Sequence, residues 1–280
     1  MNIIIAKNSG FCAGVKYTIK EAMKILKNNH EVYCLGEIVH NEEVVKELEK
    51  LGMITVNSIN LIPDNSKVIF RAHGEALKIY EIAKKKNLEI FDLTCGKIKV
   101  IHNKISSVLD KFIIVIGKKD HPEIIGTVGF ASNAYVISDT CDIEECYKEY
   151  LKQDKKEIYI ISQTTYSSIK FDEIVDIIKH KFNAKITVNK SICNATEKRQ
   201  KEVIELAKKV DNMIVVGGKN SSNTKELYNL AVKYSKNVYL YQTYKDINTK
   251  FNSNSTIGVM AGASTPNSVV EKIIKCIDNN

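Results

Sequence analysis

The sequence lacks the features that mark membrane, secreted and low-complexity proteins. No apolar run in its 280 residues reaches the roughly 20 residues that a membrane-spanning helix needs. The N-terminal stretch has no basic start followed by a long apolar segment, so we expect no signal peptide and a cytoplasmic protein. There are only three prolines and no Pro/Gly/Ser-rich linker. The domains are therefore expected to pack tightly against one another and not to be joined by flexible linkers.

Several binding signatures are also missing. The sequence has no GxxxxGK[ST] loop, no RNA-module signature and no close CxxC pair of the kind that structural zinc sites use. It has seven cysteines, an odd number, and they show no closely spaced pattern, which argues against a disulfide scaffold. The net charge of +8 comes from scattered lysines. We predict no nucleic-acid partner; a solvated basic face is the default, and a docking surface for an acidic redox partner is the functional alternative.

Three cysteines recur at one point of an internal repeat, where each follows a β-rich run and precedes a helical one. They are Cys12, Cys95 and Cys193. A glycine ends an apolar run 24, 22 and 24 residues later, and a polar residue stands four positions beyond each glycine. These polar residues are His40, His121 and Ser221, and a later strand of each repeat ends in a polar loop at His73, Thr164 or Ser264. The repeat predicts three equivalent lobes, each supplying one thiolate and two polar groups to a shared centre.

Strands and helices alternate along nearly the whole chain, and nine apolar runs are recognisable as strands. This pattern predicts an α/β protein with parallel sheets, built as a pseudo-threefold trefoil of small αβα domains. The repeat phase places the lobes at residues 13–94, 95–192 and 193–280. Since the third lobe lacks a last strand, we expect the N-terminal segment 1–12 to complete it.

The repeated polar residues follow strand ends, where open α/β sheets bind ligands and helices begin. Three histidines, His40, His73 and His121, stand there, together with hydroxyl and amide side chains. The latter are Ser221, Ser222, Asn223 and Ser264. Imidazoles, small polar groups and helix N-termini together suit a diphosphate. The remaining histidines, His30, His102 and His180, lie in lysine-rich helical stretches and are expected to be solvated.

Three thiolates from three lobes leave a zinc site or an iron–sulfur cluster as the main alternatives, beside the plainer interpretation of three buried structural cysteines. A cubane cluster normally takes four cysteines, so three would leave one iron with an open coordination position for substrate. Cys34 and Cys276 fit the protein core better, and Cys141 and Cys146 have a poor spacing for shared ligation.

Glu123 follows His121 and Pro122 at the start of a predicted helix. It is either a first-turn glutamate favoured by the helix dipole or a carboxyl that delivers a proton to a leaving hydroxyl.

The strings GFCAGV, VHN, AHG, HPEIIGT, QTT, ICNAT with RQ, KNSSNT and AGAST occur in this order over nearly the whole chain. Together they resemble the 4-hydroxy-3-methylbut-2-enyl diphosphate reductases, which catalyse the last step of the non-mevalonate isoprenoid pathway. The resemblance implies a trefoil around one [4Fe–4S] cluster. It also implies reductive removal of the substrate hydroxyl to give isopentenyl and dimethylallyl diphosphates, with ferredoxin or flavodoxin as electron donor.

The resemblance also implies residue roles. Cys12, Cys95 and Cys193 would hold the cluster, Glu123 would donate a proton, and Thr164 would orient the substrate alcohol or an ordered water. His121 would bind substrate and help to relay protons. The diphosphate would be held by His40, His73, Ser221, Ser222, Asn223 and Ser264. This chain departs from the usual pattern at Gly96, where the family has proline, and at Lys190 and Ser191.

Two rival functions remain open from the sequence. One is an iron–sulfur hydro-lyase or synthase of the quinolinate-synthase kind, which is also three-lobed with three cysteines. The other is a cluster-based redox sensor without a substrate. The three histidines, the Ser/Asn loops and Glu123 argue against the sensor, because a sensor needs no anion pocket.

Overall fold

The computed structural model describes residues 1–131, 133–153 and 155–278. Within these residues it has twelve strands: β1 (Asn2–Ile5), β2 (Val32–Leu35), β3 (Met53–Val56), β4 (Lys67–Phe70), β5 (Glu89–Asp92), β6 (Phe112–Ile116), β7 (Ala134–Ile137), β8 (Glu157–Ser162), β9 (Lys185–Asn189), β10 (Asn212–Val216), β11 (Val238–Tyr241) and β12 (Thr256–Ala261). The same residues form ten α-helices: α1 (Ala13–Asn28), α2 (Glu42–Lys50), α3 (Leu77–Lys85), α4 (Gly96–Ser106), α5 (Pro122–Val128), α6 (Ile143–Leu151), α7 (Ser168–Lys181), α8 (Asn194–Ala207), α9 (Ser222–Tyr234) and α10 (Asn267–Asp278). Among the described residues, no helix is both long and apolar enough to cross a bilayer.

The strands form three four-stranded sheets with the same topology. Their orders are β3-β2-β4-β5, β7-β6-β8-β9 and β11-β10-β12-β1, and every pairing is parallel. Parallel strands need crossover connections, which the intervening helices supply. The predicted α/β class, built from three parallel-sheet αβα units, is confirmed.

The central strands carry the cores of these sheets. All five residues of β6 are buried, and so are four of the five residues of β10. Near-continuous apolar runs of this kind fit strands that are covered on both faces. The three strands that the sequence did not reveal, β3, β7 and β11, are all sheet edges, and each is only partly buried.

The N-terminal strand belongs to the sheet formed by the end of the chain. Residues of β1 pair in register with β12, from Asn2 opposite Thr256 to Ile5 opposite Val259. The backbone of Ala6 continues this alignment by donating a hydrogen bond to the carbonyl of Val259 at 2.8 Å. The loop that leads to Cys12 is therefore attached to the last sheet of the chain.

The chain groups into two compact units. The first contains Met1–Ile19, Val39–Lys50 and the residues from Asn194 onward, and it includes the sheet with β1 and β12. The second contains Lys20–Ile38 and Leu51–Cys193, with the other two sheets. The division into three lobes at residues 95 and 193 stays a prediction, and positions 279 and 280 of the predicted third lobe lie outside the described residues.

Candidate functional site

In the first unit, Cys12 stands between the β1 loop and helix α1. Its backbone N–H donates to the carbonyl of Ala263 at 3.1 Å, and its Sγ accepts a hydrogen bond from the N–H of Val15 at 3.5 Å. The side chain is partly exposed. Cys12 therefore lies at the start of α1, with its Sγ towards an amide group of the first helical turn.

Three segments of the first unit meet at the backbone of His40, just before α2. The hydroxyl of Ser264, after β12, donates to the His40 carbonyl at 3.3 Å. Gly218, after β10, lies so close that a Cβ there would stand 2.3 Å from the same oxygen. Any side chain at position 218 would clash with the backbone of His40, so only glycine allows this close approach of the two loops. The structure thus brings His40 and Ser264 together with the loop that leads into α9.

The N-terminus of α9 carries the next three predicted residues. Ser221 is the N-cap, and its Oγ accepts a hydrogen bond from the N–H of Thr224. Ser222 and Asn223 occupy the first turn, and all three are buried. Neither the carboxamide oxygen nor the nitrogen of Asn223 has a hydrogen-bond partner among the described residues, although the side chain is only 4% exposed. Asn223 thus places a buried amide, without a partner in the described part of the chain, at the start of a 13-residue helix, and such a position is suited to an anion.

In the second unit, Cys95 and Cys193 also stand at the junction of a strand and a helix. Cys95 is the N-cap of α4, and its N–H donates to the carbonyl of Ala72 at 3.0 Å, next to His73 in the chain. Cys193 directly precedes α8, and its N–H donates to the carbonyl of Thr164 at 3.0 Å. Both side chains are partly exposed. The two cysteines are therefore tied through the backbone to the loops of His73 and Thr164.

The second unit also brings together His73 and His121. Their rings pack edge to face with centroids 5.5 Å apart. His121 is the N-cap of α5, and its Nδ1 accepts a hydrogen bond from the N–H of Glu123 at 3.2 Å. An accepting Nδ1 carries no proton, so a neutral His121 bears its proton on Nε2. Pro122 occupies the first helical position, as the sequence predicted.

Glu123 is the most deeply buried carboxylate of the site, with 2% of its surface exposed. Oε1 accepts from the N–H of Thr164 at 2.6 Å, and Oε2 accepts from the hydroxyl of Thr164 at 2.7 Å. Burial raises the pKa of Glu123 from 4.5 to about 7, while the two hydrogen bonds oppose this rise. The carboxyl can therefore both hold and release a proton near neutral pH.

Other cysteines and histidines differ in their surroundings. Cys34 and Cys146 are buried, and burial raises the pKa of each thiol to about 12, which keeps both protonated. Cys141 is exposed and Cys276 is partly buried. The expectation that His102 is solvated is wrong: it is 4% exposed and stacks on Phe130 with ring centroids 4.3 Å apart. Helix α4 packs the face that carries His102 against the core, whereas the neighbouring lysines of the same helix are exposed.

Two residues that the sequence did not single out also bear on the site. Arg199 and Glu202 of α8 contact the loop before Cys12 in the first unit. The string RQ after ICNAT was visible, but nothing local indicated which distant backbone the arginine would reach. The contact joins residues 189 positions apart in the sequence.

The fold and these residues define a class: an α/β protein with partly exposed cysteines and clustered polar side chains near the ends of parallel strands. A sequence model of the LytB protein family matches residues 3–278. The chain belongs to this family.

Two named relatives match this chain over at least 89% of their own length. The chain is 39% identical to a 4-hydroxy-3-methylbut-2-enyl diphosphate reductase of Clostridioides difficile (strain 630), with 100% of both chains covered. It is 40% identical to the reductase of Wigglesworthia glossinidia brevipalpis, covering 98% of this chain and 89% of that protein.

Two solved structures of reductases with related descriptions are also similar to this chain. One, described as (E)-4-hydroxy-3-methyl-but-2-enyl diphosphate reductase, the terminal enzyme of the non-mevalonate pathway, is 34% identical with a TM-score of 0.71, covering 100% of this chain and 99% of that one. A second, from Plasmodium falciparum and described as E-1-hydroxy-2-methyl-but-2-enyl-4-diphosphate reductase, is 32% identical with a TM-score of 0.88. It covers 98% of this chain and 87% of that chain.

Proposed function

We propose that this chain is a cytoplasmic 4-hydroxy-3-methylbut-2-enyl diphosphate reductase that forms isopentenyl and dimethylallyl diphosphates. The observation that carries the proposal is the match to proteins of that name at 39% and 40% identity, over at least 98% of this chain and 89% of theirs. These names favour the reductase over the hydro-lyase and redox-sensor alternatives. The geometry within each compact unit supports the individual residue roles.

Cys12, Cys95 and Cys193 are the proposed ligands of one [4Fe–4S] cluster with one iron left open. The donor set fits, because all three are partly exposed thiols at helix starts, and within the described residues none is in a disulfide. When bound, the cluster supplies electrons and a Lewis-acidic iron for the substrate oxygen. Ferredoxin or flavodoxin is the proposed electron donor, and a net charge of +8 suits an acidic redox partner.

The substrate diphosphate is the proposed ligand of the polar loops. In the first unit this role falls to His40, Ser221, Ser222, Asn223 and Ser264. In the second it falls to His73. The carboxamide of Asn223 supports this assignment most directly, because it is buried without a partner among the described residues, and an unpaired buried amide costs free energy until a ligand pairs with it. The N-terminal amide groups of α9 add further donors for an anion.

Glu123 is the proposed proton donor to the leaving hydroxyl. The overall reaction breaks the allylic C–O bond, consumes two electrons and two protons, and releases water; one proton joins the hydroxyl and the other ends on carbon. A carboxyl with a pKa of about 7 is half protonated at neutral pH and so can serve the first transfer. Thr164 holds both oxygens of Glu123 and orients it, and His121 is the proposed relay beside it.

The test is anaerobic purification followed by an iron assay, an absorption spectrum and turnover with a reduced viologen dye. We expect an iron–sulfur chromophore and conversion of the allylic alcohol diphosphate to the two isoprenoid diphosphates. A redox-neutral condensation without reductant would favour the hydro-lyase or synthase. A chromophore that does not respond to added substrate would favour the sensor.

A further inference from the structure

The loop that carries Cys12 is held by a pair of oppositely charged residues on α8. We infer that Glu202 and Arg199 are positioning residues that keep residues 7–12 in their metal-binding conformation before any cluster is present. The inference rests on the proposed role of Cys12 as a ligand. All of the contacts involved lie within the first compact unit.

Glu202 satisfies the donors at the start of this loop. Its Oε1 accepts from the N–H of Lys7 at 2.6 Å, and its Oε2 accepts from the N–H of Asn8 at 2.9 Å. The side-chain amide of Asn8 donates a third hydrogen bond to Oε2 at 2.8 Å. Only an acceptor-only group suits three converging donors. A glutamine would turn its own NH₂ towards one of them.

Arg199 satisfies an acceptor in the middle of the same loop. Its Nη2 donates to the carbonyl of Gly10 at 2.6 Å, and its Nη1 donates to the carbonyl of Ala195 in its own helix at 2.8 Å. The side chain is only 4% exposed, which is unusual for arginine. The fork geometry of the guanidinium lets one side chain join the first turn of α8 to the loop.

The opposite side of the loop is tied to the last residue of β12. The hydroxyl of Ser9 accepts from the N–H of Ala261 at 2.6 Å, and the N–H of Gly10 donates to the Ala261 carbonyl at 3.3 Å. Gly10 has a φ of +82°, and a Cβ there would stand 2.6 Å from Oδ1 of Asn267. The N–H groups of Lys7, Asn8, Gly10 and Cys12 are therefore paired without any contribution from a metal, which favours a single conformation of the loop.

This arrangement has a consequence for cluster assembly. A disordered loop would have to lose conformational entropy when its cysteine binds iron, which would weaken binding. Glu202 and Arg199 remove that cost in advance, and Arg199 does so from the helix whose first residue directly follows Cys193 in the chain. Their effect should therefore appear in the cluster-free protein as well as in the loaded protein.

The experiment compares cluster-free Glu202→Gln and Arg199→Met with Glu205→Gln and Lys201→Met, whose parent side chains are exposed on the same helix. Hydrogen exchange by mass spectrometry follows amides 7–12, and anaerobic reconstitution follows the rate and extent of chromophore formation. We expect exchange at Lys7 and Asn8 to be roughly tenfold or more faster in Glu202→Gln, with slower and less complete reconstitution. Both control variants should match the wild type.

Arg199→Lys keeps one charged donor and should recover part of the protection, and it replaces Arg199→Met if that variant does not fold. Wild-type exchange and reconstitution in both Glu202→Gln and Arg199→Lys would overturn the inference while leaving the proposed function intact. A wild-type protein that forms no iron–sulfur chromophore would overturn the proposed function itself. In that case a fast-exchanging Glu202→Gln loop would show only that α8 orders the segment, and the metal-binding part of the inference would fall.

Discussion

Both carboxylate oxygens of Glu123 accept hydrogen bonds from a single residue, Thr164, one from its backbone N–H at 2.6 Å and one from its hydroxyl at 2.7 Å. The backbone bond fixes the position of Glu123, because an N–H can only donate. The hydroxyl can turn round and accept instead. A protonated Glu123 can therefore keep the same place by donating from Oε2 to Thr164, so that proton loss and gain need no movement of the chain.

Glu123→Gln should abolish most turnover while leaving iron content unchanged. The amide preserves size and can still accept from the N–H of Thr164, but it cannot supply a proton. General acid catalysis is worth roughly 100- to 10,000-fold, and we expect a loss of turnover in that range. Steady-state assays with a strong artificial reductant measure it. Turnover within about threefold of the wild type would assign Glu123 a purely structural role at the start of α5.

The raised pKa of Glu123 should also make folding stability depend on pH. The unfolded carboxyl ionises near 4.5 and the folded one near 7, so between these values the folded protein binds more protons. The contribution of Glu123 to the free energy of unfolding is therefore largest below about pH 4.5. It falls by roughly 3 kcal/mol as the pH rises through 7. The measurement is chemical unfolding of the cluster-free wild type and Glu123→Gln at pH 4.5 and 8. A difference between the two proteins that does not change with pH would contradict the assignment.

Replacement of Cys12, Cys95 or Cys193 by serine should each remove the iron–sulfur chromophore or most of its iron, because a serine hydroxyl is a poor substitute for a thiolate ligand. Cys141→Ser is the matched control, since that side chain is exposed and outside the proposed ligand set. Iron analysis and absorption spectra decide the matter. An empty Cys141→Ser together with a fully loaded Cys95→Ser would refute the repeat-based assignment.

Asn223→Ala should weaken substrate binding with little effect on stability. Its carboxamide has no hydrogen-bond partner among the described residues, so its removal breaks no hydrogen bond with any of them. A hydrogen bond to a charged ligand is worth about 1.5–3 kcal/mol, which predicts an increase in KM or in the inhibition constant of pyrophosphate of at least tenfold. Asn229→Ala, on the exposed face of the same helix, serves as control. Equal pyrophosphate inhibition in both variants would count against the anion site.

Gly96→Pro should stabilise the protein by about 0.4–1 kcal/mol. Gly96 is the first residue of α4, a Cβ there meets nothing within 4 Å, and Cys95 has φ −55° and ψ 132°, which is compatible with a following proline. Gly126→Ala is the contrasting variant, because its Cβ would lie 2.9 Å from the carbonyl oxygen of Gly74. Thermal unfolding of both variants tests this, and a lower melting temperature for Gly96→Pro would mean that the Cys95 loop has a different geometry.

The central strands and the positions of the cysteines could be read from the sequence because both depend on local patterns. An apolar run such as Phe112–Ile116 identifies a buried strand wherever it lies in the chain, and a polar residue just after such a run stands near the carboxyl end of that strand. The edge strands β3, β7 and β11 were not predicted, because their sequences carry no comparable local pattern. Each is four residues long and only partly buried, so its strand character comes from a neighbour that no local window contains.

By itself, then, the sequence determined the α/β class, the repeat and the residues that stand at strand ends, because periodicity and spacing are properties of the chain. The tertiary structure alone decided the environments. Burial against distant segments made Glu123 a carboxyl that titrates near neutral pH, and it placed His102 in the core. The fold also brings Glu202 within hydrogen-bond distance of Lys7, which is 195 residues away in the sequence. Protonation and positioning depend on which groups approach from elsewhere in the chain, and only the folded molecule specifies those neighbours.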